Sequence, residues 1–105
     1  MLFDTHAHMN DPAFDEDREQ VLLSLKDRGV AYMMNVGCCL DSSRDCVAMA
    51  EKYPFVYASV GSHPDSADEV NEEVLEQYRQ MAQILELCAK FQKAGMPLPF
   101  DNPFR

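Results

Sequence analysis

Two histidines one residue apart, in Asp4-Thr5-His6-Ala7-His8, are the side chains best suited to chemistry in this chain. Alternate residues of a strand face one side, so His6 and His8 can present two imidazoles to a common point, about 7 Å of chain apart. Two nitrogen donors so placed suit Zn²⁺, Mn²⁺ or Co²⁺ better than Ca²⁺, and a divalent metal, Zn, Mn, Mg or Co, is the expected cofactor. Asp4, just before the pair, is placed to orient one ring through a hydrogen bond without itself touching the ion. A His-x-His pair is common and, taken alone, is more often incidental than a ligand pair. Its place at the carboxyl end of a first strand, where α/β folds put their sites, shifts the balance toward metal binding.

The elements that would position the pair follow from apolar periodicity. Residues 1–5 read as a first strand, running into a loop near Asn10. Asp11 and Pro12 suit the N-cap and first position of a helix, since proline has no backbone donor to lose there. Phe14, Val21, Leu22 and Leu25 then share one helical stripe, and Gly29 ends the helix. Residues 30–36, between Gly29 and Gly37, read as a second strand covered on both faces. Ser42 and Asp45 announce a second helix through a capping-box pattern, with Cys46, Val47, Ala50 and Tyr53 at helical spacing and Pro54 as the stop. Residues 55–60 make a third strand before Gly61-Ser62-His63-Pro64. This βαβαβ rhythm implies an α/β class with a parallel sheet.

The last third breaks the rhythm. Val74, Leu75, Tyr78, Met81, Ala82, Leu85, Cys88 and Ala89 keep one stripe in phase over residues 71–94. A single helix of that length is about 36 Å long, roughly twice a typical strand of about 17–20 Å, so it overhangs any such sheet. Beyond Gly95 three prolines argue against a central strand, and residues 95–105 are expected to form an irregular, partly disordered tail after a domain spanning residues 1–94.

Composition narrows the function classes. The 105 residues hold 18 Asp and Glu against nine Lys and Arg, a formal charge of −9 spread along the chain. Steering of polyanions is therefore unfavourable, and no Lys or Arg cluster is dense enough to reverse it locally. The acidic run over residues 65–76 reads as a solvated face with carboxylates favoured at a helix start. Cys38, Cys39, Cys46 and Cys88 form no zinc-ribbon or disulfide-dense pattern; Cys46 and Cys88 read as small core residues, and the divergence of adjacent side chains disfavours, without excluding, a metal role for Cys38 and Cys39. Polar residues come too early for a secretory h-region and no apolar run approaches about 18 residues, so a cytoplasmic location away from membranes is expected.

Five segments together resemble the TatD-type deoxyribonucleases: residues 3–10 (Phe-Asp-Thr-His-Ala-His-Met-Asn), 14–18, Asn35-Val36-Gly37, 50–54, and Gly61-Ser62-His63-Pro64, in the order and spacing of that family. The resemblance covers about the first eighty residues. It implies a TIM-like barrel whose mouth holds one or two divalent metals that activate water against DNA phosphodiesters, with His6 and His8 as metal ligands. His63 would then lie near the mouth, touching substrate phosphate or water, or else serve only as a turn residue fixed by Pro64. Asn35 is either a site-lining amide or, by a small margin, a strand-end turn former.

The chain also departs from the family. A Gly-Glu-x-Gly-Leu-Asp segment, two later histidines and a late aspartate have no counterpart, and about 250 residues are typical of a complete barrel, with roughly 200 as a floor. Residues 83–97 resemble the helix before a Leu-Pro-Val-x-x-His strand, which implies an internal deletion followed by early termination, or a gene-model error. About three βα units of an unfinished barrel are expected, impaired as a nuclease. The same fold can instead act as a non-catalytic module that pairs with further copies through an open sheet edge, or fail to fold stably alone.

Overall fold

Short apolar runs bounded by glycine or proline become strands, and the longer periodic runs between them become helices. In the computed structural model, which describes residues 1–104, these are β1 (Leu2–Ala7), α1 (Arg18–Ser24), β2 (Val30–Val36), α2 (Leu40–Lys52), β3 (Val56–Ser59) and α3 (Glu72–Lys93). The strands form one parallel sheet in the order β1-β2-β3. Class, parallel sheet and the long final helix agree with the sequence reading.

The segment between β1 and β2 is not one helix. It is a 3₁₀ turn at Pro12–Phe14, then α1, then a second 3₁₀ turn at Lys26–Arg28. Asp11 caps the first turn by accepting the Ala13 N–H, with Pro12 just inside it as expected. The break falls at Asp15-Glu16-Asp17, because the Arg18 guanidinium folds back onto the carbonyls of Met9, Asn10 and Asp11 and a continuous helix would pull it away. The apolar stripe survives the break: Leu22 is buried, and Phe14, Val21 and Leu25 pack on the same cluster. Gly29 closes the segment at φ 88, a left-handed backbone that a side chain would strain.

The start of α2 is displaced from the expected Ser42 and Asp45. Cys39 is the N-cap and Ser42 is its N3 partner, a capping box in which a thiol replaces the usual hydroxyl. The helix ends at Lys52 because Tyr53, ahead of Pro54, is pushed to extended backbone at φ −117, ψ 113.

Both α1 and α2 cover one face of the sheet. Leu22, Met33, Tyr53 and Val56 form its core with Met9, and Met49 of α2 packs against them. Each fully buried Leu, Met or Val there stabilises the fold by roughly 1.5–3 kcal/mol relative to exposure. The other face is open, contrary to the expectation that β2 is covered on both sides: Phe3, Tyr32 and Tyr57 are 42–48% exposed and stand within 6.0 Å of one another. Three strands with both helices on one side offer that face no opposing layer.

The second cluster joins α2 to α3 through Val47, Met81, Ile84 and Cys88. Leu75, Ala82 and Ala89 fall outside it and are exposed, while Ile84, absent from the expected stripe, is buried. The stripe that packs runs along 74, 78, 81, 85 and 88, so residues 75, 82 and 89 sit at its margin. Leu85, besides packing on that cluster, lines with Ala89 a cleft of about 780 Å³ beside β3.

The tail holds no helix or strand among residues 95–104, yet it is anchored rather than loose. Phe104 is buried in the α2–α3 cluster, Asn102 donates to the Glu51 carboxylate at 2.8 Å, and the Arg44 guanidinium lies over the Phe104 ring. An apolar ring and a satisfied amide outweigh the tail's proline content.

Candidate metal site and the groove beside it

The histidine pair sits where β1 leaves the sheet. Asp4 is opposite Met33 and Ala7 opposite Asn35, so β1 holds one more residue than β2 over this stretch, a bulge at the pair. The two ring centroids are 5.0 Å apart with planes 76° to each other. That is closer than two successive same-side residues of a regular strand, about 7 Å apart along the chain.

His8 has a defined tautomer. Its Nδ1 lies 3.1 Å from the Val36 carbonyl oxygen, which can only accept, so in the neutral ring Nδ1 carries the proton and Nε2 keeps its lone pair. Imidazoles that bind metals characteristically donate their other nitrogen in this way. The donor set therefore fits a divalent ion at His8, with His6 beside it. Asp4 does something other than orient a ring: its carboxylate accepts the His6 backbone N–H at 3.1 Å, pinning the bulge.

Two side chains fix the loop that follows. Asn35 is fully buried; its Oδ1 accepts the Met9 N–H at 2.9 Å and its Nδ2 reaches the Met49 sulfur at 3.3 Å. It is thus neither a site-lining amide nor a turn former but an internal staple one residue from His8. Arg18 grips the same loop from the other side, its Nε 2.7 Å from the Met9 oxygen. Cys46, behind Asn10, has its thiol pushed up to about 12 by burial first and then by Asp45, Cys38 and Cys39. It is a neutral core group, as read from the sequence.

His63 faces the pair across a groove of about 700 Å³, lined also by Cys38, Ser62 and Asp65. It caps the Pro64–Glu69 turn: its Nδ1 accepts the Asp65 N–H at 3.1 Å. In the neutral ring the proton is consequently on Nε2, the reverse of His8. The Asp65 carboxylate, 3.4 Å from the same Nδ1, pairs with it only in the protonated ring, so the cap and the ion pair exclude each other.

Gly37 brings this wall close. A Cβ there would stand 2.3 Å from Ser43 Oγ and 2.9 Å from the Ser59 oxygen, so only glycine lets α2 start so near the sheet. Cys38 turns its sulfur toward the Nδ1 side of His8, at 3.9 Å, and Cys39 turns toward Ser42. The two thiols diverge as expected. Among the described residues no group of three or more His, Cys, Asp or Glu converges on one ion position.

The family model for TatD-related DNases matches residues 3–96. The chain belongs to this family. It is 37% identical over 82 residues to the uncharacterized metal-dependent hydrolase YabD of Bacillus subtilis, covering 78% of this chain and 32% of that protein. It is 32% identical over 82 residues to the 3'-5' ssDNA/RNA exonuclease TatD of Pectobacterium carotovorum, covering 77% and 32%. The metal-dependent hydrolase YjjV of Escherichia coli, also uncharacterized, is 31% identical over 79 residues. The chain spans about a third of the length of these relatives. Its three parallel βα units and long final helix are consistent with part of the TIM-like barrel the resemblance implies. No helix among the described residues is long and apolar enough to cross a membrane.

Proposed function

We propose that this chain carries the histidine part of a metal-dependent phosphodiester hydrolase site, with single-stranded DNA or RNA as the substrate class. One observation carries the reading: His8 and His63 face one groove in opposite tautomers, the first offering a lone pair and the second an N–H. A lone pair suits a cation, and an N–H suits a phosphoryl oxygen. The names of the relatives, a metal-dependent hydrolase and an exonuclease, support the same assignment.

His6 and His8 would hold a divalent ion, Zn²⁺, Mn²⁺, Co²⁺ or Mg²⁺, which supplies Lewis acidity and lowers the pKa of bound water. Val36 keeps the His8 lone pair directed outward through its carbonyl, and Asp4 holds His6 at the bulge through the backbone. His63 donates Nε2–H to a non-bridging phosphate oxygen. Asp4 lies outside the ion's contacts, so removing its side chain weakens the site only through the bulge. With a formal charge of −9, approach of a polyanion depends on the ion's own charge.

Two imidazoles without a carboxylate bind a divalent ion weakly, so this chain alone is expected to turn over little substrate. Calorimetric titration with Zn²⁺ and Mn²⁺ tests the reading. Wild type is expected to bind, and the His6→Ala, His8→Ala double variant to lose at least tenfold in affinity; equal binding by both would remove the metal assignment. Metal-dependent cleavage of single-stranded DNA that His6→Ala abolishes would overturn the expected impairment and keep the chemistry.

A second reading has its own support in the open sheet face, where Phe3, Tyr32 and Tyr57 cluster uncovered and β1 and β3 are edges. Here the chain is an association module that pairs with a second copy. A strict monomer by native mass measurement at micromolar concentration would count against it.

A further inference from the structure

The Gly61-Ser62-His63-Pro64 turn is tied to the rest of the molecule by a network that the histidine chemistry does not use. One oxygen of Glu69, Oε1, is 2.8 Å from the Leu40 N–H at the start of α2, 3.1 Å from Ser62 Oγ and 3.3 Å from the Tyr78 hydroxyl on α3. Ser62 Oγ and the Tyr78 hydroxyl are themselves 2.6 Å apart. Three elements thus meet at one carboxylate: the first turn of α2, the residue before His63, and the long helix.

Proton counting orders the network. Ser62 and Tyr78 have one hydroxyl proton each, and three contacts join them to each other and to Glu69, so only two can be hydrogen bonds at a time. The shortest contact must be one of them. Either Tyr78 donates to Ser62 and Ser62 to Glu69, or Ser62 donates to Tyr78 and Tyr78 to Glu69. Both arrangements end on the carboxylate, the only member that donates nothing. Removal of the Glu69 acceptor leaves the Leu40 N–H without its side-chain partner and takes the shared carboxylate from the hydroxyl pair, for which Ser43 beside Tyr78 is the remaining neighbour. Burial holds the Tyr78 phenol above its ordinary pKa, which keeps its proton in place.

The turn is also held from its other side, where the His63 N–H donates to the Cys38 oxygen at 2.7 Å and Ser43 Oγ bonds both backbone groups of Gly61. Those contacts fix the backbone entering the turn. The Glu69 network joins the turn to α3 through the Ser62 and Tyr78 hydroxyls, and Glu69 ends the same Pro64–Glu69 segment that His63 begins as a cap. We propose that Glu69 and Tyr78 are positioning residues, which hold the His63 turn against α2 so that its ring keeps the Nε2–H tautomer facing the histidine pair. The proposal rests on the reading of this groove as the phosphodiester site.

The test uses the full chain without metal and reads the ring nitrogens of the three histidines by ¹⁵N NMR, because a fixed tautomer gives two well-separated resonances and an unrestrained ring gives averaged ones. In Tyr78→Phe and Glu69→Ala the separation for His63 is expected to fall by at least half. Glu69→Gln keeps an acceptor oxygen at that place and is expected to retain most of it. The His8 resonances, set by Val36, are expected to stay put in all three. Unchanged His63 resonances in both Tyr78→Phe and Glu69→Ala would overturn the proposal, as would His8 moving as far as His63, which signals general loosening. Zn²⁺ titration of the wild type is read separately: no binding would sink the metal reading, while the His63 signature would still decide the clamp.

Discussion

The two ends of the groove are built on different principles. His8 is placed from within: its backbone neighbour Met9 is fixed by the fully buried Asn35, its ring by a strand carbonyl, and its loop by Arg18. His63 is placed from outside, on a short turn whose ring remains about half exposed, by a local cap and a side-chain network reaching from α3. On the function proposed above, the cation ligand has the rigid support and the substrate donor the more exposed mount. The comparison implies that damage at the first end is felt as lost stability, and damage at the second as lost geometry.

The largest effect is expected from Asn35→Ala, which strands the buried Met9 N–H without an acceptor. A loss of about 2–3 kcal/mol is expected, read as a lower thermal midpoint together with averaging of the His8 ring resonances. If the protein melts normally, the inner staple is not what places His8. Gly37→Ala comes next: the close Ser43 and Ser59 atoms must give way, at about 1–3 kcal/mol, and chemical denaturation measures it.

Alkaline pH sharpens the contrast without a mutation at either histidine. Folding raises the Cys46 thiol from 9.0 to about 12, so the folded state holds this proton more tightly than the unfolded chain. Stability from that group is complete below about pH 9 and declines as pH rises from there toward about 12. Cys46→Ala is expected to flatten this decline in denaturation curves collected across the range; a parallel decline in wild type and variant would assign it elsewhere. The smallest effect belongs to His63→Ala, which removes an exposed cap from a short turn and is expected to change stability by less than about 1 kcal/mol. A change as large as that of Asn35→Ala would erase the distinction between the two ends.

Much of this was legible beforehand because it depends on local periodicity. The strands, the βαβ rhythm, α3 and the burial of Cys46 and Cys88 follow from apolar spacing and from glycine and proline punctuation. The breaks in that reading occur where a distant partner overrides a local preference. Arg18 interrupts a helix to reach carbonyls eight and nine residues back. Phe104 and Asn102 dock a proline-rich tail that composition marks as loose. Glu69 sits in an acidic run read as solvated, yet its carboxylate receives an N–H from α2. An acidic residue 29 positions from its donor carries no sequence signal of that role.

The amino-acid order alone determined the class, the family resemblance and the two-histidine motif, since these are written in residue type and short spacing. Only the tertiary structure decided which ring nitrogen is free in His8 and in His63, that Asn35 is a buried staple, and that one sheet face stays open. Those properties depend on which carbonyl, amide or side chain lies within hydrogen-bond reach, and packing brings such partners together across separations that no local pattern encodes.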